Sequence, residues 1–190
     1  MKKILTIAVA IAAIFALASC GGGSKGAGKE SKTKTIKATS TRFEYGDLAK
    51  YIEVANEEAT LSWSENNSGY TPEQTFTLDV ELKLKKAIKA IADVDPYDIG
   101  LVRLLSGASI ELIDSNGGDI VDVDITSGDA LAFKEFLKGN AGDVKVITFV
   151  GKFHNSEKAP EWFKSAVSFK PGGTCSLQIK VGDSYFTPAL

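Results

Sequence analysis

Asp114-Ser115-Asn116-Gly117-Gly118-Asp119 is the stretch whose residue types come nearest to metal chemistry. Oxygen ligands on a glycine-containing loop suit calcium, but an EF-hand loop needs Gly at its sixth position and Glu at its twelfth. Here those positions hold Asp119 and Ile125. A hairpin turn accounts better for the same residues, because Asn-Gly supplies the positive φ angles that tight hairpins require. Asp119, Asp122 and Asp124 recur along the stretch that follows. Two readings fit them: a weak divalent-cation site, and a charged strand edge that discourages strand-to-strand aggregation. The second is favoured, and no metal or other cofactor is expected.

Aromatic side chains offer a different chemistry. Trp162 and Phe163 follow a Pro-containing segment, Glu157-Lys158-Ala159-Pro160-Glu161. An exposed Trp162 would stack on a sugar ring or anchor a partner protein, with Tyr70 and Tyr97 as loop aromatics beside it. The competing and favoured reading makes the pair a plug for one end of the fold. Nucleophilic and phosphate chemistry lack their parts: there is no Ser/His/acid spacing, no phosphate-cradling glycine loop, and His154 is the single histidine. No catalytic activity is expected.

The elements that must carry these residues are mostly strands. In Thr75 to Lys85, "TFTLDVELKLK", Phe76, Leu78, Val80, Leu82 and Leu84 alternate with Thr77, Asp79, Glu81 and Lys83. That period of two predicts a strand with one face in the core and one in water. "TCSLQIKV" places Cys175 on an inward face with Leu177, Ile179 and Val181, a small core residue rather than a reactive thiol. "ASIELIDSNGGDIVDVDI" reads as a hairpin, and "DVKVITFVGKF" as a longer, central strand. "YIEVA" and "ATLSW" read as two short strands around an Asn56-Glu57-Glu58 turn, with Trp63 in the core; "SAVSFK" is another, turned by "KPGG" into the last strand. One helix is expected in "SGDALAFKEFLKGN", capped by Ser127 or Asp129, with Leu131, Phe133, Phe136 and Leu137 as its apolar stripe. "LKKAIKAIADVDPYD" reads as a long excursion between strands. About eight strands, glycine turns and one short connecting helix predict an all-β, two-sheet β-sandwich.

The amino terminus gives an address. Lys2 and Lys3 precede the apolar run Ile4 to Leu17, which is too short to span a bilayer, and small residues follow. Leu17-Ala18-Ser19-Cys20 resembles the lipobox of bacterial lipoproteins. The resemblance implies a signal peptide over 1–19 and acylation of Cys20, which would fix the protein to a membrane. Two or three chains bind far more firmly than one, at about 0.8 kcal/mol per buried methylene. Residues 20–34 then read as the lipidated Cys and a tether: "GGGSKGAGKESKTK" has no large apolar residue and a net charge of +3. As a flexible coil, 14 residues span about 20 Å. Its lysines either touch anionic headgroups or merely keep the tether solvated, and the second is favoured. Gly21 in place of Asp is similar to outer-membrane-sorted lipoproteins, and no acidic surface-export patch follows Cys20. An outer-membrane, periplasm-facing anchor is the expectation.

Six of the 22 basic residues and one of the 24 acidic residues fall in the first 34 positions, so residues 35–190 carry a net −7. That argues against nucleic acid as a partner and suits a single domain over 35–190. Within it, "FEYGDLAKYIEVANEEATL", "TLDVELKL", "ASIELIDSNGGDIVD" and "ALAFKEFLKGNAGDVKVITFVGKF" resemble small Bacteroidetes lipoproteins with an immunoglobulin-like sandwich of unknown function. The resemblance covers about Phe43 to Lys170 and departs from the pattern in the Lys85 to Ile99 insertion. It implies an immunoglobulin-like fold and no catalytic residues. The expected function is a lipid-anchored envelope binding or assembly module, whose partner is an envelope protein; the alternative is a carbohydrate-binding lipoprotein that takes a glycan with its loop aromatics.

Overall fold

The computed structural model describes residues 30–67, 70–88, 102–125, 127–172, 175–181 and 184–186. Cys20 and Tyr97 lie outside them. Among the described residues there are ten strands: β1 (Glu30–Ala38), β2 (Ile52–Val54), β3 (Glu58–Asn66), β4 (Glu73–Leu84), β5 (Val102–Ile113), β6 (Asp119–Ile125), β7 (Val144–His154), β8 (Ser168–Lys170), β9 (Cys175–Val181) and β10 (Ser184–Phe186). Helix α1 (Ser127–Leu137) joins β6 to β7, α2 (Ala159–Ser165) joins β7 to β8, and a 3₁₀ turn covers Asp47–Lys50.

The fold is all-β, but it is a closed barrel and not a sandwich. Seven strands pair in a ring, β1–β3–β4–β7–β6–β5–β8 and back to β1. The three-residue β8 closes it, parallel to β1 at Lys37↔Ser168 and antiparallel to β5 at Leu112↔Phe169. Closure removes the edges that two separate sheets would leave open. Hydrophobic alternation looks the same in both architectures, so strand patterns alone do not distinguish a barrel from a sandwich.

Two expected turns are bulges. β2 and β3 do not pair with each other. They lie end to end along one edge of β4, Val54 opposite Leu82 and Thr60 opposite Asp79. The extra residues loop out between them, where the Asn56 carboxamide accepts from Glu58 N–H. Likewise β8 and β9 both run along β5, the register passing from Glu111↔Lys170 to Ala108↔Cys175. The β5–β6 hairpin is as expected. The Asp114 carboxylate accepts from the N–H groups of Asn116 (2.7 Å) and Gly118 (2.9 Å), and Gly117 takes φ +81°.

β4 follows its predicted alternation, with Phe76, Leu78, Val80, Leu82 and Leu84 fully buried. Each such side chain stabilises by about 1.5–3 kcal/mol. Trp63, Phe149, Phe169 and Ile110 fill the interior from the other strands. Phe133, Phe136 and Leu137 of α1 are buried, but Leu131 is exposed, contrary to its place in the expected stripe. At 100° per residue it sits about 200° around the helix from Phe133. Asp129 holds the start of α1 to β7 by accepting from Thr148 N–H.

β1 begins at Glu30, inside the stretch assigned to the tether. It pairs with β3 from Glu30↔Glu65 to Lys37↔Glu58. Two lysines of that stretch, Lys32 and Lys34, become structural here. Lys32 lies over the Trp63 ring at 5.3 Å and Lys34 over Phe163 at 4.9 Å. The Lys34 ammonium also donates to the carbonyls of Lys164 and Ala166 at the end of α2, where helix carbonyls lack intrahelical partners. Burial pushes the Lys34 ammonium below the usual lysine range.

Cys175 is 1 % exposed. A thiol reagent is expected to leave it unmodified in the folded protein and to label it once denaturant is added. Rapid stoichiometric labelling without denaturant, followed by mass spectrometry, would show that its strand is turned the other way.

Candidate functional site

The strand registers define two barrel ends. At one, Glu30 faces Glu65, Asn66 faces Glu73, and Glu73 faces His154. A depression of about 280 Å³ opens there, lined by Glu65, Pro72, Gln74, Asn155, Ser156 and Glu157. Glu65 comes from β3, Gln74 from β4, and the last three from the β7–α2 connection. Asn155 N–H donates to the Pro72 carbonyl at 3.1 Å, tying the two rims together. Asn155 holds φ +55°, a left-handed conformation that Asn tolerates better than most side chains.

Gln74 occupies an inward position on β4, next in parity before Phe76, and is 5 % exposed. Its Oε1 accepts from Trp63 Nε1–H at 2.8 Å. The buried indole thus has a partner, as buried polar groups generally do, and the carboxamide is held in one orientation. Beside it on β7, Phe153 stands opposite Gln74 and packs edge-to-face on Trp162, with ring centroids 5.4 Å apart.

The expected aromatics divide. Trp162 is half-buried against the core, and its neighbour Phe163 is buried and tilted on Trp63 at 6.3 Å. Tyr70 is fully exposed, two residues before Pro72. Both belong to the end that carries the depression.

The three aspartates are not gathered into a cation site. Asp119 is at the hairpin turn, Asp122 faces Glu111 across the strands and Asp124 faces Ser109. Among the described residues no group of three His, Cys, Asp or Glu side chains is placed to hold one ion. Burial raises the Asp124 carboxyl above its ordinary range, and the charge of Asp122 adds to this. Nearby, Lys170 bridges Glu44 (3.4 Å) and Glu111 (3.6 Å). Glu111 and then Glu44 raise the Lys170 ammonium above its ordinary range. This cluster ties β8, β5 and the segment before the 3₁₀ turn together. A second depression at the opposite end is lined by Glu135, Phe136, Gly139, Asp143, Val144 and Lys145. Its Asp143 carboxylate is already used, accepting from Asn140 N–H at 2.7 Å.

Glu65, Gln74, Asn155 and Ser156 do not stand out in the sequence as site residues. Gln74 carries a signal: a polar residue at an inward parity of an otherwise apolar alternation. The others carry none, since they are ordinary polar residues at strand ends and in a loop.

In comparisons with protein-family models, curated proteins and solved structures, nothing matches this chain. Among the described residues no helix is long and apolar enough to cross a membrane.

Proposed function

We propose that the protein is a lipid-anchored envelope binding or assembly module, held to the periplasmic side of the outer membrane by acylated Cys20 and working without catalysis. The observation that carries the binding part is the packed interior. Trp63, Phe76, Phe149 and Phe169 fill the barrel with essentially no exposed surface. A small barrel filled in this way binds on its outside or at its ends and does not carry cargo inside. For the anchor, the support is the lipobox together with the start of β1. Only residues 21–29 separate Cys20 from Glu30. Nine residues reach at most about 30 Å. An anchored barrel would therefore stay close to the bilayer, with its Glu65 end nearest the attachment point.

Replacing Cys20 with Ser tests the anchor. The parent protein is expected to sediment with membranes and to incorporate labelled fatty acid; the Cys20→Ser variant is expected to do neither. A variant that still sediments with the membrane fraction refutes the proposal.

The second reading, a carbohydrate-binding lipoprotein, is favoured by one observation: Trp162 and Tyr70 stand at the same barrel end as the polar depression.

A further inference from the structure

We propose that the depression between Glu65, Gln74 and Glu157 is a binding site for a single sugar ring. The inference rests on the second, carbohydrate-binding reading and names the ring and its seat, but it does not depend on the anchor.

The donors and acceptors around the depression select its ligand. Gln74 is almost wholly buried, and its oxygen is committed to Trp63. The NH₂ of the same carboxamide is therefore the half left to the depression that Gln74 lines. The Glu65 and Glu157 carboxylates border the same space as acceptors, and neither makes an ion pair among the described residues. Asn155 and Ser156 add groups that both donate and accept. An ammonium ligand has only donors. It would suit the carboxylates but meet the Gln74 NH₂ donor to donor. An anion would suit Gln74 and be repelled by two carboxylates. A neutral hydroxyl both donates and accepts, so a ring carrying several hydroxyls satisfies every group present.

Size and surroundings agree. About 280 Å³ is just below the range of drug-sized ligand sites, which run from about 300 to 1,000 Å³. That accommodates one ring and leaves the rest of a glycan outside. Tyr70 is exposed two residues before Pro72, which lines the depression. Aromatic rings offer the apolar face of a sugar a flat partner while their polar tips stay wet. The Asn155–Pro72 hydrogen bond holds the rim together before any ligand arrives, which reduces the ordering cost of binding.

Saturation-transfer NMR on the full chain tests this, with glucose, galactose, mannose and N-acetylglucosamine as probes and methylammonium and phosphate as charged controls. At least one sugar is expected to bind in the millimolar range. The Glu65→Ala/Glu157→Ala double variant is expected to weaken that binding at least about tenfold, with little change in the melting midpoint, because Glu157 is exposed, Glu65 is half-buried and neither makes an ion pair among the described residues. Glu65→Gln and Glu157→Gln singles, which keep one acceptor oxygen each, are expected to fall between. The proposal is overturned if none of the four sugars binds, if binding survives in the double variant, or if methylammonium binds where the sugars do not. In each of those cases a specific envelope cross-linking partner of the anchored protein would leave the broader binding-module reading standing. Loss of anchoring in its own test would leave the sugar site untouched.

Discussion

Gly46→Ala is expected to destabilise the fold by more than about 4 kcal/mol. Gly46 precedes the 3₁₀ turn with φ +92° and ψ +166°, a region open in practice to glycine alone. Backbone strain for another residue there costs about 1–3 kcal/mol. Steric overlap costs more. A methyl group at Gly46 would stand 1.9 Å from the Cys175 carbonyl oxygen and 2.6 Å from its carbonyl carbon. These are backbone atoms of β9, so no rotamer change relieves the overlap. The 3₁₀ turn and β9 would have to separate, exposing Leu48 and Cys175, which are now buried. A loss above about 4–5 kcal/mol is exceptional for one substitution, and a domain has only about 5–15 kcal/mol in all. Gly117→Ala is the control. Its φ is +81°, but nothing lies within 4 Å of the added methyl. It should cost only the left-handed strain, about 1–2 kcal/mol. Urea denaturation of both variants checks the pair; equal midpoints would mean that the close approach of Gly46 to Cys175 is not made in solution.

Trp63→Ala should be the most damaging truncation inside the barrel. Trp63 is 1 % exposed, donates to Gln74, and lies between Phe163 and the Lys32 ammonium. Truncating a buried Trp costs about 3–5 kcal/mol. Trp63→Phe separates packing from the hydrogen bond. It keeps a ring but leaves Gln74 Oε1 without its donor, at about 1–3 kcal/mol. Adding Gln74→Leu to Trp63→Phe should recover part of that loss, because it removes the orphaned acceptor. A double variant no more stable than Trp63→Phe alone would show that the buried bond contributes little. The same cycle bears on the depression, since Gln74→Leu also removes the NH₂ that borders it.

Period and punctuation made several elements legible from the sequence by itself. The inward face of β4, the Asp114 turn between β5 and β6, the buried Phe133, Phe136 and Leu137 of α1, and the burial of Cys175 all follow from local patterns. In each case neighbours along the chain determine which side of a strand or helix a residue occupies, and that geometry needs no knowledge of the partner. The acidic balance of residues 35–190 and the lipobox-like Leu17-Ala18-Ser19-Cys20 likewise belong to the sequence alone.

Tertiary structure decided what local patterns leave open. Asn, Gly and Pro mark the ends of pairing, but they serve turns and bulges equally. The Asn56 and Pro171 segments became bulges because β2 with β3, and β8 with β9, share one partner strand each. Closure into a barrel depended on three residues of β8 reaching both β1 and β5, a long-range register that alternation does not encode. "SKTK" reads as solvated tether because hydropathy counts a lysine as polar along its whole length. In the barrel the Lys34 ammonium found carbonyls at the end of α2, and the Lys32 and Lys34 ammoniums rested on aromatic rings. The depression formed because β3, β4 and the β7–α2 connection end at the same rim. Glu65, Gln74 and Glu157 are separated along the chain, and only strand pairing, which matches registers across the sheet, could bring their polar groups to one place.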